Sequence, residues 1–107
     1  MKRMAKVSAI ATALVVVFIF PSSVNAQNAS ETLFKSKCAA CHGADGTGSA
    51  IGKKMGAHDF QTAEVQKMSD AELSGIITNG KNKMPKYGSL SPEDIKGLVA
   101  YIRTLKK

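Results

Sequence analysis

The sequence is poor in aromatic residues and lacks any run in which apolar and polar side chains alternate. Aromatic residues make up 6% of the 107 residues, and tryptophan is absent. The positive charges are scattered, with no interleaved rings that would stack on bases, which argues against nucleic-acid binding. Without alternating runs, nothing indicates β-strands. We therefore expect an all-α protein, with three or more short helices separated by long loops.

The sequence also lacks an apolar run long enough for a permanent membrane anchor. The longest run covers residues 7–20 and is interrupted by Ser8 and Thr12, whereas a spanning helix needs about 20 apolar residues. Three basic residues precede this run, and positions 24–26 suit cleavage by signal peptidase. The pattern predicts a secretory signal peptide at residues 1–26, cleaved before Gln27. The protein is then expected in the periplasm, or otherwise outside the cytoplasmic membrane.

The remaining residues, 27–107, are expected to form one small domain. Its length of 81 residues follows from removing 26 of the 107. A hydrophobic core alone is marginal at this size, so a cofactor or another constraint is expected. Loss of the three basic residues of the signal peptide also lowers the net charge from +7 to +4. The domain is therefore moderately basic.

The first predicted helix is followed by a long segment without regular structure. Ser30 is expected to cap a helix that runs from Glu31 to about Cys38. Five glycines then occur between positions 43 and 56. Because glycine loses much backbone entropy in regular structure, this segment is predicted to be a loop.

Two further helices are predicted from their capping residues. Ser69 and Glu72 form a capping box at the start of one helix, which Gly80 is expected to end. Ser91 and Pro92 mark the start of the last helix. The residues expected to be buried lie at helical spacing in each: Leu73, Ile76 and Ile77 in the former, and Ile95, Leu98, Val99 and Ile102 in the latter.

The chemistry of the sequence centres on its only two cysteines, in the stretch CAACH. Cys38 and Cys41 lie almost one helical turn apart, and His42 follows directly. This spacing suits thioether bonds from both sulfurs to neighbouring vinyl groups of one haem, with His42 as an axial ligand of the iron. The three residues are therefore expected to act as one unit.

Three other interpretations of the cysteines each lack a part. A thioredoxin-like redox pair needs a βαβ context, which the sequence does not indicate. A tetrahedral zinc site needs four ligands, and residues 27–107 offer two cysteines and two histidines, with Cys41 and His42 adjacent. A disulfide is allowed in an oxidising compartment, but it leaves His42 and the glycine-rich segment unexplained.

Met84 is the preferred candidate for the second axial ligand. It lies 42 residues beyond His42 in the stretch NKMPKYG, and the helix between them can carry the chain to the opposite face of the haem. Met55 lies only 13 residues beyond His42, and Met68 has a structural role beside the capping box. His58 is a lone loop histidine, which is commonly a solvated surface residue.

Residues 30–105 resemble a small class I c-type cytochrome of the bacterial monohaem, cytochrome c6-like kind. The resemblance rests on CAACH, on KMPKYG, on Phe34 four residues before the first cysteine, and on Leu98 with Tyr101 in the last helix. It implies the cytochrome c fold, with short helices and long loops around one covalently bound haem c. It further implies that the first and last helices cross with Phe34 and Tyr101 in contact. Phe34, Tyr87 and Leu98 are expected to pack against the haem.

The chain departs from the family pattern in two places. The family often has glycine four residues before the aromatic residue of the first helix, where this chain has Ser30. Many relatives also use the carbonyl of a proline to accept a hydrogen bond from the second ring nitrogen of the histidine. The loop after His42 has no proline, and we expect a carbonyl near Ile51 to take this role.

Together these features predict an electron carrier rather than an enzyme. With both axial positions of the iron filled, a substrate has no place to bind, and methionine opposite histidine raises the potential relative to two histidines. The carrier is expected to be a monomer that meets acidic patches on redox partner proteins of a respiratory or photosynthetic chain. The lysines expected around the exposed haem edge are Lys35, Lys37, Lys53, Lys54, Lys81, Lys83 and Lys86. The alternative is a haem enzyme, or a gas or redox sensor, whose methionine ligand is displaceable.

Overall fold

A computed structural model describes residues 12–17 and 23–107. The predicted signal peptide, residues 1–26, therefore lies mostly outside the described residues. Residues 12–17 adopt no regular secondary structure. Across the described ranges, no helix is both long and apolar enough to cross a membrane.

The regular secondary structure of the described residues is helical. The helices are α1 (Ser23–Lys37), α2 (Ala39–His42), α3 (Ala50–Lys54), α4 (Ala63–Gln66), α5 (Asp70–Asn79) and α6 (Pro92–Thr104). Pairing of the β type is limited, in residues 12–17 and 23–107, to an isolated bridge between Lys81 and Met84. The expected all-α fold is confirmed.

The centre of the fold is the crossing of α1 with α6. Phe34 on α1 and Leu98 on α6 are each only 1% exposed. The ring of Phe34 lies 4.9 Å from the ring of Tyr101, with an angle of 48° between the planes. The aromatic contact expected between the first and last helices is confirmed, and it fixes α6 across the residues that precede the cysteines.

A glycine at this crossing is supplied by α6 rather than by α1. A Cβ atom placed on Gly97 would overlap the hydroxyl oxygen of Ser30. The two helices therefore approach closely even though Ser30 stands where the family often has glycine. A side chain at position 97 would require the Ser30 hydroxyl to move away.

The start of α5 and the start of α6 are as predicted. The hydroxyl oxygen of Ser69 accepts a hydrogen bond from the backbone N–H of Glu72 at 3.0 Å. That of Ser91 accepts one from Asp94 at 3.1 Å, and Pro92 is the first residue of α6. Because each cap satisfies an otherwise unpaired N–H group, both helix starts are fixed locally.

The apolar faces predicted for these helices are largely buried. Leu73 and Ile77 of α5 are buried, as are the four predicted residues of α6. Ile76 is only partly buried, because it faces the cavity described below. The two helices pack against each other along these faces.

Two predictions about the first half of the chain are wrong. The first helix begins at Ser23, not at Glu31, and Ser30 is an internal residue whose hydroxyl donates to the carbonyl of Ala26 at 2.9 Å. The glycine-rich segment is also not wholly a loop, because it contains α3. This short helix is capped by Ser49, which accepts from the N–H of Gly52, and it is also held by contacts with α2.

Candidate haem site

The residues of CAACH and the loop around Met84 line one cavity. Its volume is about 330 Å³. Cys38, Cys41 and His42 contribute from the junction of α1 and α2, and Met84 contributes from the loop after α5. The structure therefore brings the four predicted ligand and attachment residues together, although 42 residues separate the last two.

The CAACH stretch forms one tight turn. The N–H of Cys38 donates to the carbonyl of Phe34 at 2.8 Å, and the N–H of His42 donates to the carbonyl of Cys38 at 2.9 Å. These bonds place the three side chains on the same side of the chain, toward the cavity. The backbone hydrogen bonds of this turn therefore hold Cys38, Cys41 and His42 together, as the motif predicted.

The two cysteines are free and partly buried thiols. Burial raises the pKa of the Cys38 thiol to about 11, so this thiol is protonated at neutral pH. A protonated thiol is a poor nucleophile and a poor metal ligand. The environment of Cys38 therefore does not resemble that of a reactive redox cysteine.

Hydrogen bonds from the start of α3 hold the backbone of this turn. The hydroxyl of Ser49 donates to the carbonyl of Ala40 at 2.7 Å and accepts from the N–H of Gly52 at 3.0 Å. The N–H of Ser49 also donates to the carbonyl of Cys41 at 3.0 Å. A Cβ atom on Gly52 would overlap that same carbonyl, so α3 can pack this closely only with glycine at position 52.

The His42 imidazole is held in a largely apolar setting. Desolvation by burial lowers the pKa of His42, which favours the neutral ring that an iron ligand requires. Its Nδ1 atom is buried and has no hydrogen-bond partner among the described residues. The hydrogen bond expected from the Nδ1–H of His42 to a carbonyl near Ile51 is therefore not present. Instead, the ring of Phe60 stacks on the imidazole at 4.4 Å, with an angle of 27° between the planes.

Met84 is held by backbone hydrogen bonds on both sides. Its N–H donates to the carbonyl of Lys81 at 2.9 Å, and its carbonyl accepts from the N–H of Lys81 at 3.2 Å. Gly80 and Asn82 adopt positive φ angles of 74° and 54° to form this turn. A Cβ on Gly80 would lie 2.6 Å from the Met84 carbonyl oxygen, which explains the glycine.

Tyr87 joins the Met84 loop to the turn that carries the cysteines. Its N–H donates to the carbonyl of Ile77 at 2.9 Å, and its hydroxyl donates to the carbonyl of Lys37 at 3.0 Å. Lys37 precedes Cys38 directly. The bond from the Tyr87 hydroxyl thus closes the cavity on one side.

The remaining candidate residues divide into two groups. Tyr87 lines the cavity, as do the alternative ligand candidates Met55, His58 and Met68. Phe34 and Leu98, which were expected to pack against the haem, lie in the helix crossing and do not line the cavity.

Sequence reasoning missed Phe60. It is 9% exposed, lines the cavity and packs directly on His42. It belongs to no periodic segment, and its only signal is an aromatic residue in a polar, glycine-rich stretch.

The donor set and the walls of the cavity fit a haem. Two thiols, an imidazole and a thioether meet in one space, which is the set that a c-type haem uses for attachment and axial ligation. The buried Nδ1 of His42 without a partner is rare for a buried polar group, and it points to a role for the ring beyond packing. Apolar side chains form much of the rest of the wall: Phe60, Val65, Leu73, Ile76 and Ile77.

Three exposed lysines and one exposed carboxylate, that of Glu64, line the cavity. Lys37, Lys81 and Lys83 are exposed and line it. Lys35 forms an ion pair with Glu31 at 2.9 Å, and hydrogen bonding to that carboxylate raises the pKa of Lys35. Lys53, Lys54 and Lys86 are exposed but do not line the cavity. Three of the seven predicted lysines therefore line the cavity, and the other four do not.

Comparison with known proteins agrees with this fold and this donor set. Residues 25–102 match the family model described as "Cytochrome C oxidase, cbb3-type, subunit III". The chain is 40% identical over 73 residues to cytochrome c-553 of Helicobacter pylori, which covers 64% of this chain and 71% of that protein. It is 37% identical over 73 residues to cytochrome c6 of Porphyra purpurea, covering 67% and 64%.

A solved structure shows the same fold. The structure titled "KustC0563 c-type cytochrome" superposes with a TM-score of 0.68 and 36% identity, covering 73% of this chain and 98% of that one. The chain spans about a quarter of the length of one curated relative, a cytochrome c oxidase subunit 2, and about two thirds of the cytochromes c6. Family model, relatives and fold agree, and the chain belongs to this cytochrome c family as a small class I c-type cytochrome.

Proposed function

We propose that the protein is an exported carrier of single electrons, with one haem c attached through Cys38 and Cys41 and ligated by His42 and Met84. The observation that carries this proposal is the convergence of these four side chains on one cavity. A bound haem would supply a one-electron couple between ferric and ferrous iron. The names of the cytochrome c6 and c-553 relatives support the same kind of protein.

The two cysteines would hold the cofactor. Each thiol would add its S–H bond across one vinyl double bond, so that sulfur bonds to one carbon and hydrogen to the other, with no further reactant. The turn from Cys38 to His42 is fixed by backbone bonds, so attachment would also bring the imidazole to the iron. The neutral state of His42 favours this ligation, because a protonated ring has no free lone pair.

Met84 would close the opposite side. A thioether favours the ferrous state more than a second imidazole does, which suits a carrier of relatively high potential. If His42 and Met84 both held the iron, no coordination site would remain for a substrate, and for this reason we propose a carrier rather than an enzyme. The backbone bonds between Lys81 and Met84 would hold the sulfur-bearing residue without help from the metal.

The lysines of the cavity would select the partners. Lys37, Lys81 and Lys83 line the cavity that would hold the haem, at which electrons would enter and leave. A positive patch at this place would steer the protein, as a monomer, toward acidic patches on redox partners. The signal peptide at residues 1–26 would place this exchange outside the cytoplasmic membrane.

The alternative is a haem enzyme, or a gas or redox sensor, in which the methionine ligand is displaced. Met55, His58 and Met68 also line the cavity, so other groups lie near the site that Met84 would occupy. The two functions differ in one property, which is whether an external ligand such as carbon monoxide reaches the ferrous iron rapidly.

The proposal is tested by attachment and by spectroscopy. The exported wild-type protein should retain haem after denaturing electrophoresis and show the visible spectrum of a low-spin c-type cytochrome. Replacement of Cys38 and Cys41 by alanine should abolish the retained haem. Covalent haem in the double variant, or rapid binding of carbon monoxide by the reduced wild type, would count against the carrier.

A further inference from the structure

The side chain that touches His42 most directly is neither a predicted ligand nor a hydrogen-bond partner. Phe60 stacks on the imidazole with 4.4 Å between ring centres. We propose that Phe60 is a positioning residue, which fixes the plane of the His42 ring and keeps its Nδ1–H free of a hydrogen-bond acceptor. This inference rests on the proposed function, because it concerns His42 as an iron ligand.

Phe60 is itself held in place from three directions. Its N–H donates to the carbonyl of Gly46 at 2.9 Å, and its carbonyl accepts from the side-chain amide of Gln66 at 2.6 Å. The same amide nitrogen donates to the carbonyl of Ile102 on α6 at 3.0 Å. The ring of Phe60 also lies 6.3 Å from that of Phe34 in the helix crossing. The stacked ring is therefore anchored to the core of the fold.

The loop on the other side of Phe60 leaves no room for movement. A Cβ on Gly46 would lie 3.0 Å from the Cβ of Phe60 and 2.8 Å from a methyl carbon of Leu105. Real Cβ atoms essentially never come this close to a neighbour, so Gly46 lies directly against Phe60 and Leu105. A shift of Phe60 would have to displace this loop or α6.

A ligating histidine commonly donates its second ring N–H to a carbonyl or carboxylate, which fixes its orientation and makes it a stronger donor to the metal. In the described residues His42 has no such acceptor at Nδ1. Stacking against a fixed ring restricts rotation of the imidazole without drawing on the Nδ1 proton. The orientation is then fixed while the imidazole is not made more basic, and a less basic imidazole favours the ferrous state.

The experiment compares Phe60→Leu with Phe60→Tyr in the haem-loaded protein. Leucine removes the flat ring but keeps an apolar side chain, so the imidazole plane should become variable and water should gain access to Nδ1. We expect the electron paramagnetic resonance signals of the ferric iron to shift or broaden and the midpoint potential to fall. Tyrosine retains the ring and should leave both properties close to those of the wild type.

Phe34→Leu is the matched control. It removes a ring that is also buried and that contacts Phe60 and Tyr101, with no stacking on His42. It should lower the thermal midpoint, and because it acts on Phe60 only indirectly, it should change the resonance signals and the potential much less than Phe60→Leu does. Gln66→Leu provides a second test if Phe60→Leu does not accumulate. It removes the bond to the Phe60 carbonyl and should change the signals in the same direction, but less.

The possible results separate this inference from the proposed function. If wild type carries haem ligated by His42 but Phe60→Leu leaves signals and potential unchanged, only the role of Phe60 is refuted. An equal change in Phe34→Leu would also refute it, because loosening of the core would then explain the effect. If wild type does not carry such a haem, the proposed function itself fails.

Discussion

Substitution of Gly52 by alanine should separate α3 from the turn that carries the cysteines. The added methyl group would overlap the carbonyl oxygen of Cys41 and lie 2.6 Å from its carbonyl carbon. Backbone atoms cannot rotate away as a flexible side chain can, so α3 must move. This movement would strain or break the two hydrogen bonds that Ser49 donates to the carbonyls of Ala40 and Cys41.

The size of the effect follows from three contributions. Overpacking costs about 1–3 kcal/mol, and the two hydrogen bonds contribute about 1 kcal/mol each. Alanine is favoured over glycine within a helix by about 1 kcal/mol, which offsets part of this loss. We therefore expect the free energy of unfolding to fall by about 2–4 kcal/mol.

Guanidinium unfolding of the haem-loaded protein, followed by far-ultraviolet circular dichroism, would measure this loss. Gly75→Ala is the matched control, because Gly75 lies inside α5 and a Cβ there would have no neighbour within 4 Å. The control should gain about 0.4–1 kcal/mol. The reasoning is refuted if Gly52→Ala is as stable as the wild type, or if the two glycine variants change by the same amount.

Three further predictions concern the ligand, the charges and the cofactor. Met84→Ala should lower the midpoint potential and open the ferrous iron to carbon monoxide, whereas Met55→Ala should do neither; an unchanged spectrum in Met84→Ala would exclude it as the ligand. Electron transfer to an acidic partner should slow as salt rises, because exposed charges are screened beyond about 8 Å at physiological ionic strength. The double variant Lys81→Glu, Lys83→Glu should slow electron transfer at low salt and reduce its dependence on salt. A rate that changes neither with salt nor with these substitutions would show that these lysines only solvate the surface. Without haem, the protein should show little helical circular dichroism and no cooperative melting, because short helices are marginal alone; a cooperative melt would contradict this.

What could be predicted from the sequence was set by local interactions. The starts of α5 and α6 depend on Ser69 and Ser91, whose hydroxyl oxygens accept from N–H groups three residues later. Each cap involves neighbouring residues only, so its sequence pattern is sufficient. The aromatic pair at the helix crossing was predicted from the family resemblance, and the two rings are in contact in the structure.

The missed features depend on contacts between distant residues. The short helix α3 occurs in a glycine-rich segment because Ser49 bridges it to α2 and because Gly52 lies against Cys41. Phe60 approaches His42 through bonds with Gly46 and Gln66. Ser49 also accepts from the N–H of Gly52, a local cap like those of α5 and α6 that the prediction of a loop missed. The other pairings leave no periodic or capping pattern, so local reasoning had no means to find them.

The hydrogen bonds that shape the Met84 loop do not use the Met84 side chain, and this decides how a variant of Met84 can be interpreted. The bonds that shape the Met84 loop join backbone groups of Lys81 and Met84, with Tyr87 tied to Ile77 and Lys37. None of them uses the Met84 side chain. Truncation of that side chain therefore removes the sulfur but keeps the loop. A change in potential or in carbon monoxide binding would then report loss of the ligand itself, not collapse of the cavity around it.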